Sequence, residues 1–435
     1  MADIRAFRGF RYDLGRAGSL SDLVAPPYDV IDATLQDALY ARSPFNSIRL
    51  ELTREKPDPG EVDDRYLRAA RDLKEWIASD VLRQDSLRHL YVCEQEFTVE
   101  GKAYKRRGFI ARVRLEPFGS GRIYPHEETL SGPKADRLKL FHATATNLSP
   151  IFGLYPDDTN EVFAKIESLI FKMPPLEATD HLGVVSRLWP VADERVINAV
   201  IGLMGSKPVF IADGHHRYET SVKYLEEKRA AGEATSDEAP ANFTMMMLVS
   251  MSDPGLIILP THRLVSGLPG LDSVKLKALL EPHFQITPMG KGEAAATEAW
   301  EQIEMDGSQG LLGFHTKADD TWVTARFQSP TLMKELAADH SDEWRDLGVS
   351  ILHVAALNKL LGGLGGSPKC RYVHLLSEVN DAIKAGECDL AALVPPATMD
   401  HVEQIAGNLE KMPPKSTYFY PKLLTGMVFN SLKTN

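Results

Sequence analysis

Between Asp63 and Ser79 the apolar residues fall at Tyr66, Ala69, Ala70, Leu73, Trp76 and Ile77, a three-and-four spacing that predicts an amphipathic helix ending near Ser79-Asp80. The pattern then changes period. His89–Phe97 and Tyr104–Leu115 read as strands joined through Glu100-Gly101, a turn sequence that predicts a hairpin. The trio Lys105-Arg106-Arg107 opens the second strand, where basic side chains commonly guard a sheet edge. Pro117, Gly119, Gly121 and Pro125 frame a loop that leads into a helix from about Pro133. A strand over Ile151–Tyr155, a helix from about Thr159 to Phe171, a strand over Val209–Ala212 and a helix through roughly Leu225 follow. Ala231-Gly232 suits the end of that helix, and Met245–Ser250 resumes as a buried strand. Helix, glycine-rich turn and strand alternate over 270–328 without pointing to any chemistry. Together these elements predict a mixed α/β fold.

A length of 435 residues with 43% hydrophobic content is enough for at least two domains. The formal net charge of −11 works against nucleic acid as the main partner, which needs a basic face, yet leaves room for a local phosphate pocket. Cys93, Cys370 and Cys388 have neither disulfide nor thiolate-metal spacing, which suits a reducing cytoplasm. The N-terminal residues carry no apolar signal core, and no apolar run approaches the roughly 18 residues of a spanning helix, so no membrane association is expected. A homo-oligomer is left open.

The chemistry concentrates in Asp213-Gly214-His215-His216-Arg217, at the predicted strand-to-helix junction. Gly214 allows a tight turn, and amides at a helix start form an anion site. Arg217 could fork onto phosphate oxygens, a histidine could add a hydrogen bond, and Asp213 could hold magnesium or orient a hydroxyl. The competing reading is a plain helix cap at Asp213 with two exposed histidines. Adjacent histidines on a helix point about 100° apart, which disfavours a metal pair. In His126-Glu127-Glu128-Thr129, a carboxylate in a loop is a candidate general base; two solvated glutamates are the alternative. Lys134 and Arg137 could meet phosphate, or form a surface ion pair with Asp136. Pro26-Pro27 forces an extended loop before Tyr28-Asp29. In Lys415–Lys422 the aromatics Tyr418, Phe419 and Tyr420 suit packing, with Lys415 or Lys422 reaching a phosphate as the functional option. Gly362–Pro368 lacks the lysine and spacing of a P-loop and reads as a turn.

The Asp-Gly-His-His-Arg-Tyr run resembles the phosphate-binding motif of the ParB/sulfiredoxin superfamily, above all its free L-serine kinases. Over nearly the whole chain the sequence resembles a bacterial and archaeal family of unknown function, family 1015. That resemblance is carried by Ala25–Val30, His126–Thr129, Lys134–Arg137, the Asp213–Arg217 run and Met412–Lys422. It implies a ParB/sulfiredoxin-like phosphate-binding module with large insertions in an N-terminal region, 1–265. An additional C-terminal α/β region, 266–435, would have a tail folding back toward the site. The resemblance of the Asp-Gly-His-His-Arg-Tyr run to the free L-serine kinases further implies a small-molecule kinase that moves phosphate from a magnesium-bound nucleotide, ATP or ADP, to a hydroxyl compound such as free L-serine. Gly214, His215, His216 and Arg217 would hold phosphate, with Lys134 and Arg137 as further contacts. Asp213 would serve the metal, and Asp213, Glu127 or Asp29 the proton. The compact kinases hold their acidic residue close in sequence to the motif; here more than two hundred residues precede it, so the base does not carry over. A nucleotide-binding regulatory protein and a phosphoester hydrolase are the alternatives.

Overall fold

The computed structural model describes residues 2–56, 64–119, 121–127, 129, 131–170, 172–364 and 368–433. The fold is mixed α/β, and the chain divides into two compact units. The first holds residues 1–125, 129–256 and 421–435; the second holds 126–128 and 257–420. The main division therefore falls before the expected 265/266 boundary, and the last fifteen residues belong to the first unit.

A single sheet of nine described strands organises the first unit. Its order is Ile123–Pro125, Val209–Asp213, Ile151–Tyr155, Phe243–Ser250, Lys102–Arg114, Leu90–Val99, Val185–Val191 and Leu176–Thr179, with Ile4–Arg5 also paired to Lys102–Arg114. The expected hairpin is present, turning through Glu100 and Gly101, both at positive φ. Its second strand lies between two others in the sheet order, but the trio pairs with Glu96, Gln95 and Glu94 on one side, while the pairing with Phe243–Ser250 begins at Phe109. Side chains alternate across a strand: Arg106 is fully buried, while Lys105 and Arg107 meet Glu94.

The helix Arg65–Ala78 is capped by Asp64 and buries Ala69, Leu73 and Trp76, as its spacing predicts; Asp63 lies outside the described residues. It packs on Ser131–Thr144, which in turn packs on His215–Ala230. Phe109, Ile151, Ile211 and Leu248 share a core with Phe141 of the second of these helices and Tyr218 of the third. The C-terminal segment is sewn in by backbone pairing: Thr425 with Ala25, Phe429 with Phe10, and Asn430–Ser431 with Thr146–Asn147. No helix among the described residues is long and apolar enough to cross a membrane.

The second unit is built on an antiparallel sheet ordered Phe284–Gly290, Thr321–Phe327, Leu311–Thr316, Leu390–Leu393, His262–Ser266 and Lys369–Val373. Ala296, Ala299, Trp300 and Ile303 of the helix Gly292–Asp306 pack with Val379 in its core. The strand Tyr418–Tyr420 pairs with Ile257–Leu259 and buries Phe419. Gly362–Leu364 forms one short helical turn; 365–367 lie outside the described residues.

Candidate functional site

The strand Val209–Asp213 ends in a bulge that inserts Ala212, after which Gly214 turns the chain into the helix His215–Ala230. Gly214 has φ 90° and ψ 28°, the left-handed region that glycine enters without steric cost. A Cβ there would also stand 2.9 Å from the Arg217 guanidinium. Gly214 is the helix cap and brings no side chain to the first turn, so Asp213 does not cap the helix and is left for other partners.

Those partners are cations. Asp213 Oδ1 accepts from Lys422 Nζ at 2.6 Å, and Oδ2 from Arg217 at 2.7 Å. Burial alone would raise the Asp213 pKa, but the charges of Lys422 and Arg217, the lysine hydrogen bond and nearby His215 hold it well below the usual carboxylate range. Asp213 is therefore a firmly ionised anion. Arg106 adds its field to the same place: burial pushes its guanidinium down to about 9, while Asp253 and Asp213 pull it up.

Arg217 is 6% exposed. Its guanidinium also donates to Pro150 O and to Ser149 Oγ at 3.3 Å, because the helix presses this side chain inward onto the sheet. His215 is buried and His216 half-buried. Ser149 leads on to a second buried ion network, since its hydroxyl lies 3.3 Å from Glu51 Oε1. Arg137, 4% exposed, reaches the Glu51 carboxylate at 3.3 Å and Asp136 at 2.6 Å, and lies over the Tyr28 ring at 4.2 Å. Arg137 is thus an internal tie between Glu51 and Asp136. Lys134 is half-buried and bound to Glu219 at 2.7 Å and Thr129 at 3.1 Å.

Tyr28 joins the expected Pro26–Asp29 loop to this region. Burial raises its pKa, Asp29 raises it further, and Arg137 and Arg217 lower it. Asp29 itself is exposed on the short turn Tyr28–Val30. Glu127 belongs to the second unit, where its carboxylate accepts from the Lys415 amide at 3.1 Å. His126 is fully buried there, with Nε2 2.8 Å from Thr417 Oγ1. Glu128 lies outside the described residues.

The magnesium role expected of Asp213 does not fit this arrangement. Each of its oxygens holds a cationic side chain. Among the described residues, no three His, Cys, Asp or Glu side chains gather as a metal set. The lysine at position 422 was only one of two options in the sequence, and Arg106, Glu51 and Glu219 were not singled out for the site. Strand alternation was the available signal for Arg106, since it places that residue on the face opposite Lys105 and Arg107.

In class, this is a mixed α/β protein with a buried carboxylate–cation cluster at a glycine turn between strand and helix. The chain belongs to the family described as protein of unknown function DUF1015, whose model matches residues 4–349. No curated protein matches it. Among solved structures it is similar to a conserved hypothetical protein from Pyrococcus furiosus, at 12% identity, covering 69% of this chain and 89% of that one, with a TM-score of 0.34. It is also similar to a free serine kinase variant in complex with AMP, at 11% identity, covering 68% and 83%, TM-score 0.35. SbnI with a C-terminal truncation, from Staphylococcus aureus, is 12% identical over 75% of this chain and 90% of that one, TM-score 0.35.

Proposed function

We propose that the first unit binds a nucleotide phosphate at the Gly214 turn and transfers phosphate to a small hydroxyl compound, free L-serine being the first candidate. The observation that carries this reading is the Asp213 carboxylate held between Lys422 and Arg217 at the start of the helix His215–Ala230. Lys422 and Arg217 bring two positive charges to the one carboxylate of Asp213, so an incoming phosphate meets an excess of positive charge. The amide-rich helix start favours the same sign of ligand. The motif's resemblance to free L-serine kinases supplies the reaction class.

In this reading Lys422 contacts the phosphate and stabilises the charge that develops on its oxygens during transfer. Arg217, being buried, orients Asp213 and the turn. Asp213 is a weak proton acceptor because its neighbours stabilise its ionised form. Asp29 is the exposed carboxylate on the loop whose Tyr28 feels Arg217, and it is the proposed acceptor of the hydroxyl proton. No step is assigned to a magnesium held by the protein.

The test is incubation with ATP or ADP and a panel of hydroxyl compounds, with magnesium supplied, followed by mass spectrometry for a phosphorylated product. Phosphorylated serine or a related alcohol supports the kinase. Nucleotide-dependent thermal protection without any product points to a regulatory nucleotide-binding protein, and release of inorganic phosphate from a phosphoester alone points to a hydrolase.

A further inference from the structure

The proposed reaction gives no step to the buried charge of Arg106. Arg106 is fully buried on the strand Lys102–Arg114, and Gln95, its cross-strand partner, is 3% exposed. Burying a guanidinium is costly unless its donors are used. Here one nitrogen, Nη2, bonds both the C-terminal segment and the facing strand. Arg106 donates to Pro421 O and to Gln95 Oε1. The same Gln95 side chain donates through Nε2 to Lys422 O at 3.2 Å. Two consecutive carbonyls of the C-terminal segment are thus gripped by one pair of facing residues, and the side chain that leaves this grip is Lys422, whose ammonium lies 2.6 Å from Asp213 Oδ1. The Arg106 guanidinium also lies 4.5 Å from the Phe152 ring centroid, which limits its freedom further.

We propose that Arg106 and Gln95 are positioning residues that set the Pro421–Lys422 backbone, so that the Lys422 ammonium is held at Asp213 and ready for an anionic ligand. The proposal rests on the phosphate-binding reading for its purpose, while the grip itself stands on the hydrogen bonds. A lysine has a flexible four-carbon stem. Fixing its backbone removes much of the search that such a side chain otherwise makes before meeting a ligand.

The experiment uses the full chain with Arg106→Met, Gln95→Ala, Lys422→Met and the double variant Arg106→Met/Lys422→Met. Lysine-directed labelling read by mass spectrometry reports the exposure of Lys422, with Lys134 as internal reference. Calorimetric titration with ADP reports affinity. The grip predicts that Lys422 labelling rises about tenfold relative to Lys134 in Arg106→Met, and in Gln95→Ala should Arg106→Met fail to fold. It predicts an ADP affinity loss of about tenfold in Arg106→Met, with the double variant no weaker than Lys422→Met alone, because both changes remove one function. Unchanged Lys422 labelling in the folded variants overturns the proposal, as does a double variant whose losses multiply. Raised labelling in a protein whose unmutated form binds no ADP keeps the grip and overturns the phosphate site.

Discussion

Lys422 and Asp213 form an ion pair of 2.6 Å across 209 residues of sequence, with side chains 12% and 16% exposed. The pair brings the C-terminal segment to the end of the motif strand, and it decides how substitutions there should behave.

Asp213→Asn keeps the shape of the side chain and removes its charge. Lys422 and Arg217 would then face each other across a neutral amide in a largely buried site. Breaking such a pair by removing one partner costs roughly 3 to 5 kcal/mol. Urea unfolding should show a loss of about this size, and a midpoint equal to that of the unmutated protein would contradict the arrangement.

The same carboxylate makes stability depend on acid. Its pKa in the folded protein is depressed below the ordinary value of about 3.9. Its contribution is therefore complete above about pH 4 and is lost as the pH falls toward the depressed folded value. Between pH 5 and pH 2 the unmutated protein should lose more stability than Asp213→Asn; parallel curves for the two would show that Asp213 is not the linked group.

Arg217→Met and Lys422→Met should fail in different ways. Arg217 is 6% exposed and tied to Pro150, Ser149 and Asp213, so its loss should cost about 3 to 5 kcal/mol of stability. Lys422 is the cation proposed to meet phosphate. Its removal should weaken ADP binding by roughly tenfold or more, as expected for a charge-assisted contact of about 1.5 to 3 kcal/mol. Denaturation and calorimetry on both variants separate the roles, and an affinity loss confined to Arg217→Met would reverse them.

Gly214→Ala should destabilise by about 1 to 2 kcal/mol, since the residue sits at φ 90° where a Cβ is disfavoured. The new Cβ would also press on the Arg217 guanidinium, which its partners hold in place. Equal melting temperatures for the two proteins would mean that the turn relaxes to a right-handed conformation.

In the second unit, burial pushes His262 down to about 3 and His353 to about 4, and the adjacent Arg263 adds to both. Both are neutral when folded and take up a proton near pH 6.5 when unfolded. Their contribution is complete above about pH 6.5 and is lost as the pH falls through the folded values. Each adds a slope of up to about 1.4 kcal/mol per pH unit in that window. His353→Gln retains an acceptor for Arg263, which donates to His353 at 3.1 Å, and should reduce the slope of unfolding free energy between pH 6 and 4.5. An unaltered slope would remove His353 from the linkage.

The hairpin through Glu100-Gly101, the helix Arg65–Ala78 and the strand–Gly214–helix junction were legible because each is decided within a few residues. Period, turn glycine and capping aspartate act locally. The sequence by itself also determined that Gly214 must turn the chain and that Asp213 and Arg217, four residues apart, fall near one another at the helix start. Only the tertiary structure decided that Arg217 faces inward, that Arg137 ties Glu51 to Asp136, and that Arg106 is buried with bonds to Gln95 and Pro421. The order of strands and the path of the C-terminal segment through Ala25, Phe10 and Asn147 produce those placements. Local patterning specifies which face of an element is apolar, whereas the identity of the partner across that face depends on long-range assembly. That is why the lysine that meets Asp213 could be found only in the folded chain.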